Sequence, residues 1–317
     1  ASFTALSFAE GRAVFIRKMY VGSTEGDTMA KNEVLLEVTE KHLNTGLRGV
    51  PVGTCRTSFV TPSEGVHYCG YPITELASFE PEDIIYLLFN KELPTAEQSV
   101  AIRQDLASRA TVPGDLESVL KSLPKFGHPM DWLSIGIHTL GMFETTNDWK
   151  EDALNLIARM PRLMGLIFRI REGREENIPA DDTSLSMVER FVRTLELHDA
   201  DEEKMKQIIS TYLVLHMDHG GGNLSTFAGK AIASSKATVY SAMAGAMNAL
   251  SGPLHGRANQ SCLEFVLKVG TSDPVEVEAF VRAELKANRP IFGFGHAVLR
   301  SEDPRATVQF KLGSEIC

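Results

Sequence analysis

Residues 201–223, DEEKMKQIISTYLVLHMDHGGGN, and residues 231–256, AIASSKATVYSAMAGAMNALSGPLHG, decide the architecture. In the first, Met205, Ile208, Ile209, Tyr212, Leu213 and Leu215 recur at the spacing of one helical face. Acidic residues fill its opening turn, where they complement the positive helix end, and three glycines stop it. The second stretch is rich in Ala, Ser and Gly, so a helix made from it lets neighbouring axes approach closely. Such a helix is the buried centre of a lobe or a subunit interface. Of the two, the interface is expected.

Working outward, helix signals recur along most of the chain. Pro81 suits a first helical position before EDIIYLLFNKEL. Thr95 and Gln98 form a capping box that opens a segment running to Ala110. Asn147 is placed to cap KEDALNLIARMPRLMGLIFRIREG, in which Pro161 should kink or break the helix. Two further helices are predicted near Ala258–Val269 and Pro274–Ala287. The clear β signal lies early: VGTCRTSFV and GVHYCGY, joined by the turn sequence TPSEG, read as a small hairpin. The fold class is therefore all-α, mainly helical, with a small N-terminal β-hairpin, and a large lobe passes into a smaller one near Gly256.

The 317 residues suffice for two domains, or for a large lobe with a smaller partner. At 43% apolar and 23% charged residues the composition excludes general disorder. A net charge of −9 argues against a protein that coats nucleic acid, and no apolar run is long enough to span a membrane. The cysteines Cys55, Cys69, Cys262 and Cys317 show neither CxxC spacing nor a disulfide framework, which points to a reducing compartment. The cytoplasm is expected, or the mitochondrial matrix if the source is eukaryotic. Residues 1–28 lack the pattern of a secretory signal, and Met29 could be a native start, so they read as a tag, a processed leader or an extension. The expected domains are 1–28 as that extension, 29–256 as a large helical domain and 257–317 as a small domain.

Most of the nine histidines suit ordinary roles: His42, His67, His128, His138 and His198 lie in capping, turn or helix-face settings, and His216 lies on the polar side of its helix. Three others abut glycine: His219 in DHGGGN, His255 in SGPLHGRAN and His296 in GFGHAVLR. Glycine there allows positive φ and a close approach of backbone to ligand. A zinc site built on His216, Asp218 and His219 lacks the supporting motif of HExxH or CxxC type, so no metal is expected. An imidazole can instead donate a hydrogen bond to a carbonyl, or transfer a proton, near neutral pH. Arg300 and Arg305 follow His296, and guanidinium groups bind carboxylate or phosphate as a fork. Taken singly, each arginine reads as an ion pair with Glu302 or Asp303. Together with the histidines they suggest a small polyanionic carboxylate substrate and a phosphate-bearing partner.

DHGGGN, GPLHGRANQ and GFGHAVLRSEDPR, in this order, resemble citrate synthase, and the likeness runs from about Gly46 to Arg305 through GLRGVPVGTCRTSFVTPSEGVHYCGYPITELA, LFNKELPTAEQ, HPMDWLSIGI and IARMPRLMGLIFR. The resemblance implies a helical two-domain homodimer (or higher oligomer) that condenses acetyl-CoA with oxaloacetate and hydrolyses citryl-CoA to citrate and CoA. It implies that His255 stabilises the acetyl-CoA enol and that His296 polarises the oxaloacetate carbonyl. His219 and Arg305 would hold oxaloacetate carboxylates, with Asn223 nearby. Arg300, the stretch Pro290, Phe292, Gly293 and Phe294, and Arg48 would contact CoA. No permanently bound cofactor is implied, since acetyl-CoA is a co-substrate.

The family's catalytic base is an aspartate well downstream of the His296 position. The carboxylates that follow His296 here are Glu302, Asp303 and Glu315, and the role passes to none of them. The small domain is accordingly expected to be incomplete. Alternatives are 2-methylcitrate synthase, citryl-CoA lyase, and a non-catalytic assembly protein that binds CoA or oxaloacetate.

Overall fold

The computed structural model describes residues 34, 36–44, 50–197, 200–253, 255–296 and 298–316. Residues 1–28 and Arg48 lie outside them. Ala1–Arg56 and Thr57–Cys317 form two compact units. The first contains a 3-10 turn, Glu40–Asn44, in which His42 Nδ1 accepts from the amide of the preceding Thr39 at 2.9 Å.

In the second unit the expected hairpin is β1 (Ser58–Thr61) paired antiparallel with β2 (Gly65–Tyr68), in the register Phe59 to His67 and Val60 to Val66. A short β3 (Tyr71–Pro72) adds a third strand through Tyr68 to Tyr71, a pairing too brief to leave an alternating pattern. All four residues of β2 are buried, because helices cover the sheet. These are α1 (Ile73–Leu76), α2 (Pro81–Asn90), α8 (Glu202–His216) and α13 (Pro304–Ile316). Val66, Tyr68, Ile73, Leu76, Leu87, Val214 and Leu215 form their shared core, with Val308 against it.

A second core joins α4 (Gly114–Lys121), α5 (Pro129–Glu144), α6 (Trp149–Arg171) and α10 (Val239–Leu250), around Trp132, Leu140, Leu163, Ile170 and Tyr240. The small-residue helix is α10. Its buried face, Tyr240, Ala242, Ala244 and Ala246, meets α5 and α9 (Leu224–Ala233) within the chain, so this face belongs to the lobe's core. Between the two cores, α3 (Ala96–Ser108) carries the Thr95/Gln98 capping box as expected, and α7 (Met187–Leu195) follows α6. The helices α11 (Ala258–Val269) and α12 (Pro274–Lys286) meet through Phe265 and Phe280, edge to face at 5.7 Å.

Three expectations are corrected. Of the expected kink or break, the break does not occur: α6 continues through Pro161, which is buried along with Ala158 and Leu163. Packing on both sides of the proline outweighs a helix-interior cost of about 3 kcal/mol. Its cap is Asp148, which accepts from the amides of Lys150 and Glu151, while Asn147 takes a left-handed conformation just before it. In α8 the buried residues are Val214 and Leu215, whereas Ile208 and Tyr212 are 41% and 40% exposed. The helix is gripped by α2, α7 and α13, and that three-sided contact, not the apolar periodicity alone, sets its inward face.

Candidate active site

The three glycine-flanked histidines sit on three different local devices. His219 follows α8 in a loop where Gly220 has φ +82°, so the chain can reverse immediately after the imidazole. The loop is closed by Asp218, whose Oδ1 accepts from the Gly220 amide at 3.0 Å and whose Oδ2 accepts from Thr57 Oγ1. It ends at Asn223, whose Oδ1 accepts from the Thr226 amide at 2.8 Å and caps α9. Asn223 is thus committed to the helix start while still lining the cavity described below.

His255 lies where the chain wraps the end of α10. The Gly256 amide donates to Leu250 O at 2.9 Å, and a Cβ at Gly256 would lie 2.5 Å from that oxygen, so only glycine fits. The wrap brings the His255 ring to the first turn of α9, where Nε2 accepts from the Ser225 amide at 3.3 Å and lies 3.1 Å from Ser225 Oγ. An otherwise unpaired helix-start N–H therefore fixes the tautomer and leaves Nδ1 to carry the proton.

His296 follows Gly293 and Gly295, with φ +88° and +86°. Its Nδ1 accepts from the amides of Val298 and Leu299 at 3.1 and 3.0 Å, so the proton resides on Nε2. The His296 ring meets that of His219 at an angle of 61°, with centroids 5.2 Å apart. Burial pushes the His219 imidazole down to about 4, and the charges of Arg305 and His296 act in the same direction. His296 is also lowered, first by burial and then by Arg305. Both rings are neutral at neutral pH. His219 Nε2 is buried without a hydrogen-bond partner, a vacancy that a substrate oxygen would satisfy.

Arg305 is mostly buried and forks onto Asp303, with Nη2 to Oδ2 at 2.6 Å and Nε to Oδ1 at 3.0 Å. The ion pair expected of this arginine alone is present. Burial works to raise the Asp303 carboxyl, but the hydrogen bonds and charge of Arg305 prevail and hold it below the usual range. Arg305 nonetheless places its charge beside both His219 and His296.

A cavity of about 940 Å³ is lined by His219, Asn223, Ser225 and His255, together with Trp149 and Lys236. His296 and Arg305 join this group through His219 rather than through the cavity wall. The remaining expected contacts stand apart. Phe294 is 81% exposed, Pro290 is exposed, and Gly293 lies so close to Cys262 of α11 that a Cβ would be 2.9 Å from its sulfur. Arg300 Nη1 donates to His296 O at 3.2 Å and to Leu299 O at 2.8 Å, so it braces the backbone of its own loop. Sequence reading passed over Ser225 and Ser58. The Asn223–Thr226 spacing is a helix-start signal that would have marked Ser225; Ser58 left no local sign. Among the described residues no group of three His, Cys, Asp or Glu side chains is arranged to hold a metal ion, and no helix is long and apolar enough to cross a membrane.

A family model described as citrate synthase, C-terminal domain, matches residues 46–317. The chain is 32% identical to the mitochondrial 2-methylcitrate synthase of Yarrowia lipolytica over 313 residues, covering 90% of this chain and 67% of that protein. It is 34% identical to the mitochondrial citrate synthase 5 of Arabidopsis thaliana over 294 residues, covering 83% of this chain and 61% of that protein. The chain thus spans about 61–67% of the length of the curated relatives it matches. Among solved structures, citrate synthase from Thermotoga maritima superposes with a TM-score of 0.75 at 30% identity, covering 86% of this chain and 72% of that one. The Pyrobaculum aerophilum citrate synthase gives 0.77 at 27% identity, covering 85% and 70%. With a family model spanning most of its length and an agreeing fold, the chain belongs to the citrate synthase family.

Proposed function

We propose that this chain carries the condensing chemistry of its family: acetyl-CoA joins oxaloacetate, and the resulting citryl-CoA is hydrolysed to citrate and CoA. The observation that carries the reading is the meeting of His219 and His296 ring to ring beside Arg305. Two neutral imidazoles and a guanidinium form a cradle for a keto-dicarboxylate. Arg305 and His219 bind carboxylate oxygens, and His296 holds the ketone oxygen through Nε2–H. His255 offers Nδ1–H to the thioester oxygen as the α-proton leaves, which stabilises the enol without supplying a competing acid. The enol carbon then bonds to the ketone carbon. His296 supplies the proton for the alkoxide, which solvent restores, and water cleaves the thioester. In the family the α-proton passes to an aspartate downstream of the His296 position; Asp303, forked onto Arg305, is not given that role here.

Acetyl-CoA acts as a co-substrate, and residues 290–294 with Arg300 are its proposed contact surface. A homodimer is proposed, supported by the exposed Met142 and Phe143 on α5 and Met243 on α10. The mitochondrial matrix is the proposed location, supported by the mitochondrial 2-methylcitrate synthase and citrate synthase among its relatives. The test is release of CoA thiol from acetyl-CoA with and without oxaloacetate; thiol release that ignores oxaloacetate refutes the reading. A second reading, 2-methylcitrate synthesis from propionyl-CoA, is favoured by the Yarrowia relative. One methylene is worth only ~1–3 kcal/mol of discrimination, so kcat/KM for the two thioesters ranks the readings directly.

A further inference from the structure

The small sheet touches two of the three histidine-bearing segments, those of His219 and His296, and each contact is specific. On β1, Ser58 is 2% exposed, and its Oγ accepts from the Gly220 amide at 2.7 Å, the residue after His219. Just before the strand, Thr57 donates to the Asp218 carboxylate; on β2 the buried Tyr68 hydroxyl accepts from the Asp218 amide at 3.2 Å. The turn at the other end of the hairpin holds the segment after His296. Arg300 N donates to Pro62 O at 2.9 Å, and Ser301 Oγ donates to Ser63 O at 3.1 Å. Gly65, with φ +84°, is pressed against Pro304, and a Cβ there would lie 2.7 Å from the ring carbons Cγ and Cδ. Pro304 is the immediate neighbour of both Asp303 and Arg305.

We propose that the β1–β2 hairpin is the positioning element of the site, with Ser58 and Gly65 as its positioning residues. One strand fixes the His219 loop and the turn fixes the His296–Arg305 segment, so a single rigid ribbon sets the distance between two stretches of chain about eighty residues apart. A strand pair suits this task because its register is fixed by its ladder, whereas either loop alone is free to shift. Binding groups lose grip steeply with displacement, and a shift of about 1 Å can cost roughly 100-fold in rate. The proposal rests on the reading that these residues grip oxaloacetate.

Its test uses the full chain with Ser58→Ala, Gly65→Ala, Pro304→Ala and the double variant Gly65→Ala/Pro304→Ala. Two quantities are measured: the KM for each substrate, and the contact between the His219 and His296 rings, by NMR on histidine-labelled protein without ligand. Ser58→Ala and Gly65→Ala are expected to raise the KM for oxaloacetate roughly 10-fold or more, with that for acetyl-CoA within about twofold, and to weaken the ring contact. Pro304→Ala removes the atoms that a new Cβ strikes, so the double variant should regain part of what Gly65→Ala loses. If Gly65→Ala does not fold, Ser58→Ala decides alone. Survival of the ring contact in the folded variants overturns the proposal, as does an equal rise in both KM values. Failure of the unaltered chain to bind oxaloacetate or to condense it refutes the functional reading instead, whatever the rings do.

Discussion

Burial is the first cause of the low His219 value of about 4, and the positive charge of Arg305 and the neighbouring His296 deepen it. An unfolded histidine titrates near 6.5, so between about 6.5 and 4 the unfolded chain binds the proton and the folded chain does not. The contribution of His219 to stability is therefore complete above about 6.5 and is lost as the pH falls towards 4. Between pH 7.5 and 5 this amounts to roughly 2 kcal/mol, and His219→Gln should lose correspondingly less over the same interval in urea titrations. The same residue scale separates binding from chemistry. Arg305→Ala is expected to raise the KM for oxaloacetate while His255→Ala lowers kcat by about 100-fold with oxaloacetate binding retained, as steady-state kinetics and calorimetry can check. The three histidines were legible because each is flanked by glycine, a local signal. The His255 tautomer was not, because the amide that fixes it belongs to Ser225, 30 residues away along the chain.

At the scale of elements, caps were readable within a residue and inward faces less so. A cap uses groups two or three residues apart, as Thr95 with Gln98 or Asp148 with Lys150 and Glu151 show. Asp148→Ala should cost about 1 kcal/mol, seen as a lower urea midpoint with an unchanged slope. Helix contacts are another matter. Gly141 of α5 faces Tyr240 of α10, and a Cβ there would lie 2.6 Å from Tyr240 Cβ. Tyr240 cannot retreat, being 1% exposed and bonded through its hydroxyl to Glu144 at 2.7 Å. Gly141→Ala is therefore expected to destabilise the protein by about 1–2 kcal/mol, although alanine favours a helix by nearly 1 kcal/mol over glycine. Circular-dichroism melting would show it. The uninterrupted α6 teaches the same lesson: Pro161 reads as a breaker from its chemistry, and burial on both sides overrules it.

Over the molecule as a whole, the proposed reading makes stability depend on substrate. Oxaloacetate at 100 times its Kd should add about 2.7 kcal/mol and raise Tm by several degrees, whereas a dicarboxylate lacking the ketone should do less. The exposed Met142 and Phe143 give the proposed dimer a direct check: sedimentation should report twice the 34.8 kDa of the chain, and Met142→Asp should shift it towards the monomer.

Helical class, the early hairpin, most element boundaries and the glycine-marked histidines were written in the chain itself, since each depends on side chains only a few residues apart. Which face of α8 is buried, that Pro161 lies inside an intact helix, and that Ser58 reaches Gly220 were decided by tertiary structure alone. Those outcomes depend on contacts between segments distant along the chain, where burial and close packing outweigh local preference.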